Sequence, residues 1–113
     1  LNNFQRLELE TKGVKLEQSE MSIYLQENNL SPFNEYDPES ATNKKQVYQS
    51  ALSILESIAN NPESMKNISH EDLSVSDFHD NLMNRIDQLE RKIRSLKTDE
   101  QVENDTNFFS IFN

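Results

Sequence analysis

The 113-residue chain has no cysteine, no tryptophan, one glycine and three prolines. Without thiolates there is no disulfide scaffold and no zinc site of the cysteine type, and an intracellular setting is the expectation, nucleus ahead of cytoplasm. A single glycine cannot build a phosphate-cradling loop, and no nucleophile stands in a strand-turn-helix elbow, so no enzymatic activity is expected. So few turn residues also exclude an all-β fold. No apolar run approaches the roughly 18 residues of a membrane span, and no basic leader opens the sequence, so no membrane association is expected. Hydrophobic residues make up 34% of the chain. That is a thin supply for a self-sufficient globule, and it points to stability shared with other protein chains. Basic residues are scarce, 11 against 20 acidic ones for a net charge of -9, which argues against direct nucleic-acid binding. Only residues 73–98 are mildly basic, with five Lys and Arg against four acids.

What remains is helix-forming sequence, and the expected class is all-α, with elongated helices and a short coiled coil toward the end. Residues 1–30 carry two apolar series at seven-residue spacing. One is Leu7, Val14 and Met21; the other is Leu9, Leu16, Ile23 and Leu30. On a continuous helix these stripes lie on nearly opposite faces, and both need cover. The alternative for residues 5–18 is a β-hairpin, with Leu7 and Leu9, then Val14 and Leu16, flanking a Thr11-Lys12-Gly13 turn. Glutamate, lysine and glutamine around the glycine favour helix over strand. Residues 31–37 read as a turn, because Ser31-Pro32 stops a helix and Phe33 and Tyr36 can anchor the loop.

Asp37-Pro38-Glu39 reads as a helix start: an N-cap, a proline at the first position and an acid in the first turn. The helix over 38–60 has a broad apolar face that includes Val47, Ala51, Ile54, Leu55 and Ile58, and it is expected to be the most buried in the chain. Residues 61–75 form a connector with a short helical turn around Met65 and Ile68, then a capping sequence at Ser69–Asp72. The helix over 76–98 places Leu82, Ile86, Leu89, Ile93 and Leu96 at alternating spacings of four and three. This is a heptad seam with Ile at a and Leu at d, suited to a two-helix contact. His79 occupies a further a position. In a parallel homodimer Arg85 would attract Glu90 but Lys92 would repel Lys97, a hint toward an unlike partner helix. Residues 99–113 read as an acidic spacer followed by Phe108, Phe109, Ile111 and Phe112, which need a docking place, either on the chain's own bundle or in a groove on another protein.

His70 and His79 stand beside carboxylates, but no spacing fixes a metal geometry, and no metal or cofactor is expected. The basic residues of the last helix, Arg85, Arg91, Lys92, Arg94 and Lys97, read as an ordinary solvated face. The expected function is therefore a non-enzymatic scaffold subunit that binds partner helices. Its candidate contact residues are Leu82, Ile86, Leu89, Ile93 and Leu96, the face formed by Val47, Ala51, Ile54, Leu55 and Ile58, and the aromatic stretch. The alternative is a recruitment adaptor that inserts Phe108–Phe112 into a groove on an effector. In its asparagine-rich style and short heptads the chain is similar to helical subunits of kinetochore, Mediator and vesicle-tethering assemblies, a likeness that no motif carries.

Overall fold

The computed structural model describes residues 1–14, 16–61 and 75–99. Four α-helices account for most of them: α1 (Asn3–Glu10), α2 (Gln18–Glu27), α3 (Ala41–Ala59) and α4 (Val75–Ser95). No strand occurs among the described residues, which bears out the all-α class. The connector turn around Met65 and Ile68, the Ser69–Asp72 capping sequence and the stretch from Glu100 onward lie outside them.

The hairpin expected as an alternative at 5–18 is not found, and neither is a continuous rod. Leu7 and Leu9 are helical, α1 ends at Glu10, and α2 starts at Gln18. Thr11 closes α1 by donating both its N–H and its hydroxyl to the Leu7 carbonyl. The N–H of Val14 then bonds the Thr11 carbonyl, at 3.1 Å. A turn of this kind with positive φ at its third residue calls for glycine, and Gly13 sits there at φ 90°. The two stripes of residues 1–30 thus belong to two helices. Helix α2 ends in a Schellman motif, with Asn29 at φ 65° and the Leu30 and Asn29 N–H groups bonded to the Leu25 and Gln26 carbonyls.

The start of α1 is fixed twice. Asn2 and Gln5 form a reciprocal capping box. The loop at 31–36 supplies carbonyls to the next free donors: Asn3 N–H bonds Asn34 at 3.0 Å and Phe4 N–H bonds Pro32 at 2.8 Å. Tyr36 is buried and anchors this loop, as expected; Phe33 stays 65% exposed, its ring 6.3 Å from that of Phe4.

Helix α3 is the centre. It packs against α1, α2 and α4, and only Glu56 and Ser57 of its 19 residues are exposed. The breadth of its apolar face explains this: Val47, Ala51, Ile54, Leu55 and Ile58 are all buried. Fully buried Ser50 adds a small side chain, and its hydroxyl is satisfied by the Gln46 carbonyl at 2.9 Å. Its cap differs from the sequence expectation. Asp37 spends its carboxylate on the Glu39 N–H, and the helix begins three residues later with Ser40, whose hydroxyl accepts from Asn43 N–H at 3.0 Å. Asp99 completes the cap from the far end of the chain. Its carboxylate accepts from the Ser40 hydroxyl at 2.5 Å and from Ala41 N–H at 2.8 Å, and its own N–H donates to Thr42 Oγ1 at 2.7 Å. The end of α4 therefore lies at the start of α3, and the two helices run antiparallel. The core is continuous, with Leu7, Met21, Leu25 and Leu30 on one side of α3 and Phe78, Leu82, Ile86 and Leu89 on the other. Each fully buried leucine or isoleucine contributes about 2 kcal/mol, against under about 1 for an exposed ion pair. Packing on α3 holds the bundle. No helix among the described residues is long and apolar enough to cross a membrane.

Two outcomes follow from these caps. Gly13→Ala lowers the unfolding free energy by about 1 kcal/mol in urea titration, because alanine is strained at positive φ; within a continuous helix it would raise stability by a similar amount. The hydrogen bond from Ser40, with those from Ala41 and Thr42, holds the Asp99 carboxyl below its ordinary pKa. Its stabilisation is complete above the unfolded pKa of about 4 and is lost as pH falls through the lower folded value. The melting-temperature gap between the chain and its Asp99→Ala variant is then constant from neutral pH to about 5 and narrows below that.

Candidate interaction surfaces

Three surfaces are available to contact another molecule. They differ in what the helices have left uncovered.

The first is the α4 seam. Leu82, Ile86 and Leu89 are buried against the chain itself, as are Val47, Ala51, Ile54, Leu55 and Ile58 of α3. The residues expected to meet a partner helix thus meet one another within one polypeptide. Ile93 and Leu96 continue the series and remain half-buried, so the seam runs open toward the clasp of Asp99. Upstream, Phe78 is buried where the heptad placed His79, and His79 is half-buried. Spacings of four, four and three suit a straight helix of 3.6 residues per turn better than a supercoil of 3.5. Phe108, Phe109, Ile111 and Phe112 lie outside the described residues.

The second is the part of α1 and α2 that the core leaves uncovered. The stripe of Leu7 and Met21 is buried, with Val14 packed against it. Of the other stripe, Leu30 is buried and Leu16 partly so, whereas Leu9 is 49% exposed and Ile23 52%. The chain covers one of the two apolar series of its first 30 residues and leaves two large side chains of the other in solvent.

The third is a cleft of about 250 Å³ where the α1–α2 turn meets the C-terminal half of α3 and the N-terminal half of α4. Leu55, Phe78 and Leu82 give it an apolar floor, and Lys12, Gly13 and Arg85 form part of its rim. A shallower depression on the other side of the α3–α4 pair, about 440 Å³, is bordered by Glu56, His79, Met83 and Glu90.

A charge network that the sequence did not disclose sits beside the cleft. Glu10, almost buried, pairs with Arg6 at 2.8 Å one turn away and with Arg85 on α4. Burial opposes the charge on Arg6, but its hydrogen bond to Glu10 and their Coulomb attraction, with a smaller part from Tyr36, outweigh it and raise its pKa. The Arg6 guanidinium also lies over the rings of Tyr36 and Tyr48, at 5.5 and 5.7 Å, and Lys92 approaches Tyr48 from α4 at 5.4 Å. Arg85 and Lys92, read from sequence as solvated decoration, therefore tie α4 to α1 and α3. The i,i+4 spacing of Arg6 and Glu10 was visible in the sequence; the 75-residue separation of Glu10 from Arg85 carried no signal. Among the described residues no group of three His, Asp or Glu side chains is placed to hold a metal ion.

Replacing Glu10 by glutamine keeps the volume and removes the charge that both arginines face. Glu10→Gln is expected to lower the unfolding free energy by about 2 kcal/mol, whereas Glu8→Gln, exposed on the same helix, changes it by under about 0.5. Urea titration of both variants measures the difference.

No protein-family model, no curated protein and no solved structure matches this chain.

Proposed function

We propose that this chain is a non-enzymatic structural subunit of a multiprotein assembly, one that presents helical faces to other protein chains and holds them at a set spacing. The observation that carries this reading is the unequal treatment of the two apolar stripes. A helix with apolar residues on one face buries that face in its own bundle. Here α1 and α2 do so with Leu7, Met21 and Leu25, yet each also displays a large aliphatic side chain, Leu9 and Ile23, at about half its full exposure. Partner helices that cover these positions would bury the exposed half of each side chain, at about 1 kcal/mol each. The half-buried Ile93 and Leu96 offer a second point of attachment toward the end of the α3–α4 pair where Asp99 meets Ser40. The partner is argued to be protein because the surface on offer is aliphatic and the chain is strongly acidic, a balance that repels polyanions.

The double substitution Leu9→Glu, Ile23→Glu tests this. Both positions are exposed, so the helical circular dichroism and the melting temperature should stay close to those of the parent chain. In size fractionation of a native extract the parent chain should run within a larger complex, and the double variant should shift to the size of the free chain. If the variant co-migrates with the parent, or the parent itself runs free, the reading fails.

A further inference from the structure

We infer that the cleft between the α1–α2 turn and the α3–α4 pair is a receptor for the chain's own aromatic stretch, Phe108, Phe109, Ile111 and Phe112, and takes one of its aromatic rings. Three observations support this occupant. The first is reach. Asp99 is held at the start of α3 by Ser40 and Ala41, and the cleft floor at Leu55 and Leu82 lies about 20 Å away along the helices, at 1.5 Å per residue. Phe108 is nine steps along the chain from Asp99, and an extended chain of that length spans up to about 30 Å.

The second is size and polarity. The cleft measures about 250 Å³ over Leu55, Phe78 and Leu82. A cavity of about 150 Å³ accommodates benzene, so this one has room for one aromatic side chain and part of a neighbour. The third is charge. Residues 99–107 carry four acids and no base. Glu10, Lys12 and Arg85 line the cleft, and because Glu10 and Arg85 pair with each other, Lys12 gives this wall its net positive charge. The larger depression on the opposite side is bordered by Glu56 and Glu90, which repel the same spacer. The acidic spacer thus selects the cleft over the depression, and the aromatic side chains supply the apolar contact.

A photoreactive benzoylphenylalanine in place of Phe109 in the full chain, irradiated at low concentration, tests the placement. Crosslinks should map to residues 11–14 or 78–85 of the same molecule, and Lys12→Glu should reduce their yield. The chain's only glycine lines the cleft, so ¹⁵N-glycine labelling gives a single amide signal from Gly13. Changing Phe108, Phe109, Ile111 and Phe112 together to alanine should displace that signal while the far-ultraviolet circular dichroism is retained. The inference is overturned by crosslinks to the Glu56–Met83 depression, to residues 62–74 or to a second copy, by the absence of crosslinks, or by a Gly13 signal that the four alanines leave in place. Neither readout involves Leu9 or Ile23, so the test is independent of the proposed assembly surface.

Discussion

The bundle depends on one helix having apolar or small residues around most of its circumference. Helix α3 can be covered on several sides at once because Ser50 and Ala51 are small enough to let neighbours approach, while Ile54, Leu55 and Ile58 fill the space between them. A chain with only 34% hydrophobic residues closes a core by concentrating them there and letting three other helices share the same inner surface. The arrangement uses apolar material economically. It also means that α1 and α4 have little packing to offer each other, and the Glu10 pairing to Arg85 joins them; a hydrogen bond donated by Asn43 Nδ2 to Asn3 Oδ1, at 2.9 Å, adds to the packing of α1 on α3.

Much of this architecture was legible in the sequence, and the parts that were not share a physical cause. The all-α class and the dominance of the middle helix follow from periodicity, which is a local property. The bounds of α3 and α4 fall within three residues of those expected, and the main departure has a local reason, since Asp37 turns its carboxylate onto Glu39 and leaves capping to Ser40. For residues 5–18 neither the continuous helix nor the hairpin is found: α1 ends at Glu10, and the turn at Gly13 leads toward α2 rather than into a second strand. Which face meets which partner could not be read. A heptad of Leu82, Ile86 and Leu89 looks the same whether the opposing helix belongs to another molecule or to the same one, because periodicity records the need for cover and not its source. The Asp99 clasp and the Glu10 network join residues far apart in sequence, and no spacing rule reaches that far.

This division bears on how the surfaces were assigned. Where cover is supplied within the chain, the strongest sequence signals mark the core, and the weaker ones mark what is left for others. Leu9 and Ile23 belong to a stripe that the sequence shows as clearly as the buried one, yet only the three-dimensional arrangement separates the two. The aromatic stretch is the reverse case. Its need for a docking place is an expectation from composition alone, and the cleft beside Gly13 is the place we infer for it.

The clasp of α3 by Asp99 has a consequence for the order in which the protein is made. Ser40 and its acceptor are 59 residues apart, and ribosomes add roughly 5 to 20 residues each second. For roughly 3 to 12 s the nascent polypeptide carries the front of its central helix without the group that finishes it. Translation must run through the whole of α4 before the last bond of α3 can be made.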